Sequence, residues 1–144
     1  MAAVFTAAAQ RPERPDPKML KEIQEYKIKF LAQEMMLKDD QKEKFAELYQ
    51  QMSNERQANL KHLHSLEKAL DNNPSEADYK AITEAMANVK LKDARIEQIY
   101  DKKFAKFLSS KQIYKMKEAE EKFRRKMQDM HRQRNKGKRT CRPK

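Results

Sequence analysis

The chain has 144 residues, 38% of them hydrophobic and 38% charged, with one glycine, five prolines, one cysteine and a net charge of +11. Too few apolar residues are present for a thick globular core, strand formers are sparse, and one cysteine excludes an internal disulfide. We therefore expect an all-α fold of long helices, each burying a stripe of apolar side chains.

The first seventeen residues predict export followed by an extended segment. Residues 2–9 (AAVFTAAA) resemble the end of a secretory signal, with Ala7 and Ala9 in the small-residue cleavage pattern. Residues 11–17 (RPERPDP) cannot be helical throughout, because proline removes a backbone donor and restricts the residue before it. We expect residues 1–17 to be a truncated signal peptide and a proline-rich lead-in, and the mature protein to lie outside the cytoplasm.

Three helices are expected over the next ninety residues. The apolar spacing predicts a first helix over residues 18–36 and a second from Asp39 to about Leu70. Residues 71–74 (DNNP) break the pattern, and Ser75 then caps a third helix that continues to Phe107. Helices two and three would each extend about 45 Å, and a short turn between them requires an antiparallel hairpin.

Two charged residues interrupt the apolar stripes of this hairpin. Arg56 interrupts the second helix and Asp93 the third, and they lie 17 and 20 residues from Asn73, almost level with each other. We predict an ion pair at the seam, worth about 0–1 kcal/mol if it is exposed and useful mainly for register. The alternative is that both side chains extend into solvent and never meet.

A fourth helix begins at Ser109 and closes the predicted helical domain, residues 18–131. Residues 124–144 contain ten Lys or Arg and one Asp, a balance of +9, so the rest of the chain carries only +2. A terminal basic run of this kind is typical of a solvated tail that touches anionic surfaces. We expect residues 132–144, including Cys141, to form a disordered basic tail.

The starts of the second and fourth helices repeat each other. Residues 37–41 read LKDDQ and residues 108–112 read LSSKQ, so each has Leu, a polar triplet and Gln, at an offset of 71. The alignment continues downstream, where Phe45 matches Met116, Leu48 matches Ala119 and Met52 matches Phe123. Each half of the chain would therefore be a helix, a capped turn and another helix.

Two copies of a Leu-Thr-x-x-Gln motif in a small exported helical protein are the signature of the Spy/CpxP family of periplasmic proteins. Residues 19–131 resemble that family, in particular its Bacteroidetes-type members. The second copy fits well: Leu108 and Gln112 match, and Ser109 takes the Thr position and forms a capping box with Gln112.

The first copy departs from the family pattern. Leu37 and Gln41 match, but Lys38 cannot cap a helix, so Asp39 is expected to take that role. The resemblance implies a bent four-helix hairpin that forms an antiparallel, cradle-shaped homodimer in the periplasm. It also implies an ATP-independent chaperone or envelope-stress protein that binds unfolded or stress-related proteins.

A surface that holds unfolded clients needs scattered apolar groups among charged ones. Methionines suit it, because thioethers adapt to varied partners. The candidate client-binding residues, at least half of which we expect to fill the core instead, are Met35, Met36, Met52, Met86, Met116, Met127 and Met130.

The sequence raises three other functional classes. A metal-sensing or signalling regulator would use His62 and His64 for zinc, but residues two apart on a helix diverge by about 200°. A basic helical protein could bind nucleic acid or another anionic surface through residues 124–144, although an exported protein is not expected to meet nucleic acid. No nucleophile–base pair or phosphate loop is recognisable, so we expect neither an enzyme nor an obligatory cofactor.

Overall fold

The computed structural model describes residues 16–140, which form four α-helices and no strand. The helices span Pro17–Glu34 (α1), Asp39–Lys68 (α2), Glu76–Phe104 (α3) and Ser110–Thr140 (α4). The predicted all-α class is confirmed. The predicted signal remnant and most of the lead-in fall in residues 1–15, and Cys141 falls in residues 141–144; both segments lie outside the described residues. Within residues 16–140, no helix has the length and apolar character needed to span a membrane.

Side chains and proline set the first residues of α1 and α3. Asp16 accepts a hydrogen bond from the backbone N–H of Lys18 at 3.1 Å, and Pro17 occupies the first helical position, where its missing N–H costs nothing. Ser75 caps α3 as the sequence predicts: its hydroxyl accepts from the N–H of Asp78, whose carboxylate accepts from the N–H of Ser75. Both ends satisfy amides that would otherwise lack partners.

The end of α1 is a left-handed turn at Met36, with φ of 55°. The N–H of Leu37 donates to the carbonyl of Ala32 and the N–H of Met36 donates to that of Gln33, both at 3.1 Å. This pair of bonds is the Schellman arrangement, usually built on glycine. It reverses the chain within four residues and directs Leu37 into the core, where it is buried.

Helices α2 and α3 run in opposite directions against each other. Polar side chains join them at three levels: Glu55 accepts from the Tyr100 hydroxyl at 2.9 Å, Arg56 pairs with Asp93 at 2.8 Å, and Asn59 donates to the Val89 carbonyl at 2.9 Å. Asn59 is a buried polar residue, and this bond to a backbone carbonyl satisfies part of its amide.

Helices α1 and α4 form the second closely packed pair. The ring of Phe123 on α4 lies 5.8 Å from that of Tyr26 and 5.7 Å from that of Phe30, both on α1. Lys122 forms an ion pair with Glu34 at 2.9 Å near the end of α1. Residues later in α4 contact residues earlier in α1, from residue 34 back to residue 26, so these helices also run in opposite directions.

The core lies beside the α1–α2 and α3–α4 turns, each of which contributes a buried leucine, Leu37 or Leu108. Its largest fully buried side chains come from all four helices and are Leu31, Phe45, Tyr49, Tyr100, Phe104 and Met116. Aromatic stacking strengthens it, because the Phe45 ring lies 5.7 Å from that of Phe104. In contrast, no residue between Asn59 and Val89 is buried. The far part of α2 and α3 is therefore two helices thick and solvated on both faces.

Helix α4 corrects one prediction. The helix continues through Thr140, so the expectation of a disordered tail is wrong for residues 132–140. Arg, Lys and Gln are strong helix formers, and the basic residues of the last turn complement the helix dipole. Gly137 is the weakest helix former there and costs about 1 kcal/mol, too little to end the helix.

Candidate binding surfaces

The two repeated turn motifs meet at their glutamines. The Gln112 side-chain amide donates to the amide oxygen of Gln41 at 3.0 Å. The amide nitrogen of Gln41 in turn lies 3.0 Å from the carbonyl oxygen of Phe107, to which it donates. Gln41 and Gln112, 71 positions apart in the sequence, are thus direct partners, and their hydrogen bonds connect the start of α2 to the start of α4.

The second motif caps α4 fully. The Ser109 hydroxyl accepts from the N–H of Gln112 at 3.1 Å, and the Gln112 side chain accepts from the N–H of Ser109 at 3.0 Å. Leu108, the residue before the cap, is buried in the core. One glutamine therefore caps its own helix and contacts the other motif.

At the first motif only one of the two hydrogen bonds of a capping box forms. Lys38, not Asp39, occupies the N-cap position, and the amide oxygen of Gln41 accepts from its N–H at 3.1 Å. Asp39 is the first helical residue and pairs with Lys42 at 3.2 Å, so the expectation that it caps the helix is wrong. Its carboxylate instead interacts favourably with the positive end of the helix dipole. The core position of Leu37 and the contact of Gln41 with Gln112 fix where α2 starts.

Arg56 and Asp93, the residues proposed for the seam, are brought together. The Arg56 Nε and one terminal nitrogen each lie 2.8 Å from an oxygen of Asp93, which makes a bidentate pair. The two side chains are only 32% and 34% exposed. On its other side Arg56 reaches Glu120 of α4 at 4.0 Å. A single guanidinium therefore links α2 to both α3 and α4.

Glu120 lies in a polar groove of about 460 Å³ to which all four helices contribute. It accepts a hydrogen bond from the Tyr49 hydroxyl at 3.3 Å. Burial raises the pKa of Glu120, although the positive charges of Lys27 and Arg56 oppose that change. Burial likewise raises the pKa of Tyr49. The charged form of each group is disfavoured by its partial removal from water.

Lys27 is the cation that α1 contributes to this groove. Burial lowers its pKa, and the charge of Glu120 partly restores it. Its amino group lies 5.5 Å from the centre of the Tyr49 ring and 5.9 Å from that of Phe123. These aromatic contacts offset part of the cost of burial. Because its charged groups compensate one another, the groove acts as a polar junction between helices.

The seven methionines expected to bind clients divide into two sets. Met35, Met52 and Met116 are buried core residues at 2%, 2% and 1% exposure, so their expected role at the surface is wrong. Met52 and Met116 fall on the inward stripes of α2 and α4, and Met35, the C-cap residue of α1, packs into the same core. The remaining four reach solvent. Met36 is 84% exposed, Met86 45% and Met130 51%, and Met127 is partly buried.

A groove along α3, absent from the set of residues proposed from the sequence, contains two exposed apolar side chains of the α2–α3 pair. Leu91 and Ile99 are 60% and 53% exposed and line a groove of about 590 Å³. Charged side chains, Glu55 from α2 with Lys92 and Arg95 from α3, surround these two. Leu91 could have been recognised as a large apolar residue off the buried stripe of α3, whereas Ile99 needed the packing.

A second apolar groove follows the α1–α2 turn. It measures about 750 Å³ and is lined by Ile28, Ala32, Met36 and Leu37 among other residues. Met36, which the left-handed turn directs outward, is the most exposed of the large apolar residues in the described chain. The turn therefore buries one apolar neighbour, Leu37, and presents the other to solvent.

The residues proposed for zinc, His62 and His64, lie on an exposed part of α2. Among residues 16–140, no group of three or more His, Cys, Asp or Glu side chains is placed to hold a metal ion. His64 contacts Glu67 at 3.3 Å on an exposed turn of α2 that Lys61 and Lys68 flank, and their positive charges oppose cation binding. His62 does not line that pocket, which agrees with the divergence of residues two apart on a helix.

Comparison with known proteins gives no family: no family model, no curated protein and no solved structure matches the chain.

Proposed function

We propose that the protein is a non-catalytic, ATP-independent chaperone or envelope-stress protein of the Spy/CpxP type, which binds partly unfolded proteins in the periplasm. The observation that carries the proposal is the groove at Leu91 and Ile99, where apolar side chains lie open to solvent between charged ones. Such a surface can bind an apolar client segment, while the charged rim keeps it hydrated and limits self-association.

The energetics favour weak, reversible contact. Complete burial of a Leu or Ile side chain contributes about 1.5–3 kcal/mol, and Leu91 and Ile99 are already partly covered, so each would add about 1 kcal/mol. Met36 and Met86 add comparable, dispersed patches. Several small contributions, reduced by the cost of ordering the client, correspond to a complex that forms and dissociates without ATP.

The repeated turn motifs also support membership of this class. Their glutamines pair with each other across the molecule, which gives the two Leu-x-x-x-Gln segments a common structural role. We further propose that the chain is a bent four-helix hairpin that associates with a second copy as a cradle-shaped antiparallel dimer. The far part of α2 and α3 supports this, because a two-helix layer cannot bury its apolar side chains alone.

The test is suppression of the aggregation of an unrelated, chemically denatured protein at a near-stoichiometric ratio. We expect protection by the full chain and at least half of it to be lost in Leu91→Ser/Ile99→Ser. The matched control is Met19→Ser/Leu20→Ser, which removes two apolar side chains of similar exposure from α1. Absence of protection, or equal loss in both double variants, contradicts the proposal. Sedimentation that finds only monomer at micromolar concentration contradicts the dimer.

No observation on the described residues favours the metal-sensing alternative. It would regain weight only if the chain failed to protect any client and bound zinc tightly, with that binding lost on replacing His62 and His64 together.

A further inference from the structure

We propose that one end of the α1–α4 pair binds the surface of an anionic phospholipid bilayer. This end, called the basic end below, comprises residues 130–140 of α4 and the first turn of α1. Residues 130–140 contain five Lys or Arg and no Asp or Glu. The proposal is independent of client binding, since it concerns another surface and another class of partner.

The positive charge of the basic end is available, unlike that nearer the body. There, Arg124 and Arg125 both pair with Glu121, and Lys122 pairs with Glu34. At the basic end four basic side chains are exposed and form no ion pair with another described residue: Arg132, Arg134, Lys138 and Arg139. Uncompensated charge held on a preformed helix attracts an anionic surface without first having to be ordered.

Apolar side chains accompany this charge. Tyr26 packs on Phe123 at the α1–α4 seam. Seven residues make almost two helical turns, so Met19 lies on the face of α1 that carries Tyr26, and Met130 on the face of α4 that carries Phe123. Met19 and Met130 thus extend the apolar seam toward the end of the helix pair. Unlike the buried residues of the core, they are 48% and 51% exposed. The basic end therefore combines half-covered apolar groups with cations.

This combination identifies the partner. A nucleic-acid backbone would engage the Lys and Arg side chains and leave the methionines without a role. The interface of a bilayer accommodates both, because lipid phosphates attract the cations and the region below the headgroups receives the apolar side chains. Anionic phospholipid is therefore the occupant that uses the whole surface.

The test uses the full chain and vesicles of phosphatidylglycerol and phosphatidylcholine, equimolar, with pure phosphatidylcholine for comparison. Flotation should recover the protein with the anionic vesicles alone and release it at high salt. Arg132→Glu/Arg134→Glu/Arg139→Glu should weaken binding about 100-fold, as each basic residue near an anionic surface contributes about fivefold. The matched control reverses three exposed lysines of α2 and α3, Lys61, Lys80 and Lys90. Both variants have a net charge of +5, since each reversal subtracts two from +11.

A second pair of variants separates lipid from other polyanions. Met19→Ser/Met130→Ser should weaken vesicle binding about tenfold and leave binding to a short DNA duplex unchanged. Equal losses in the two charge-reversal variants would overturn the proposal, because net charge alone would then account for binding. Failure to float with anionic vesicles would also overturn it, as would duplex binding as tight as vesicle binding with no effect of the methionine substitutions.

Discussion

The Arg56–Asp93 pair allows a quantitative test of how the helices are held in register. Exposed ion pairs contribute about 0.2–1 kcal/mol, whereas bidentate, charge-assisted bonds are stronger. Here both bonds measure 2.8 Å and each side chain is about two-thirds covered. We therefore expect a coupling free energy of about 1–1.5 kcal/mol in a double-mutant cycle of Arg56→Ala and Asp93→Ala, which is at or above the upper limit expected for an exposed pair.

The two single substitutions should differ in cost. Asp93→Ala leaves Arg56 with a second carboxylate, Glu120, at 4.0 Å, so its guanidinium remains partly compensated. Arg56→Ala leaves both Asp93 and Glu120 without that cation. We expect Arg56→Ala to lower the free energy of unfolding by about 2 kcal/mol and Asp93→Ala by about 1 kcal/mol.

The assay is urea unfolding followed by circular dichroism at 222 nm, at one protein concentration so that self-association does not vary. Helix propensity differences between each residue and alanine cancel in the cycle. The control is the pair of Lys42 with Asp39, on one helix and with side chains 54% and 100% exposed, for which coupling should stay below about 0.5 kcal/mol. A seam coupling no larger than the control, or equal costs of the two single substitutions, would refute the reasoning.

Three further substitutions test other parts of the structure by the same unfolding measurement. Met36→Gly should raise stability by about 0.5–1 kcal/mol, because glycine adopts a φ of 55° without the strain that a side chain brings; a loss would contradict the left-handed turn. Phe45→Ala should cost about 3–5 kcal/mol, since the ring is fully buried, against less than about 1 kcal/mol for Leu60→Ala, which is 45% exposed. Glu120→Gln should gain stability relative to the native chain as pH rises from 4 to 7. Burial raises the pKa of Glu120 in the folded state, so its protonated form contributes to folding stability. That contribution is fully present below the pKa of the unfolded state and is lost as pH rises through the pKa of the folded state. A pH-independent difference between the two proteins would refute that assignment.

Local chemistry made much of the fold predictable. The side chain of Ser75 itself caps α3, and the DNNP break directly before it fixes where α3 begins. Buried residues such as Phe45 and Phe104 follow the 3.6-residue period, which sequence alone displays. The level positions of Arg56 and Asp93 followed from counting outward from a short turn, because two antiparallel helices rise at the same rate per residue.

Other features depend on contacts between distant segments. The start of α2 is at Asp39 with Lys38 as N-cap, against capping preference, because Leu37 is buried and Gln41 pairs with Gln112. The positive φ of Met36 had no signal, since glycine or asparagine is usual there. Three methionines looked identical to exposed ones in the sequence, and only packing distinguishes the buried side chains of Met52 and Met116 from that of Met86.

The basic end shows how composition can mislead about order. A dense run of Lys and Arg suggests disorder when judged by charge alone, yet these side chains are also good helix formers. The end of α4 extends the apolar faces of the α1–α4 seam through Met130, and α4 remains helical to Thr140. The positive charge of residues 130–140 therefore lies on a helix that continues α4, rather than on a disordered tail.

The two proposed surfaces should act independently. The client groove at Leu91 and Ile99 lies on the α2–α3 pair, whereas the basic end belongs to the α1–α4 pair, and they share no residue. Coupling between two ligands requires that each bind two states of the protein with different affinity, and the two surfaces lie on different helix pairs. Anionic vesicles should therefore leave the ratio of chain to client needed for half-maximal protection unchanged within about twofold. A tenfold change would indicate that the vesicles compete for the client groove, or that membrane binding separates the two helix pairs.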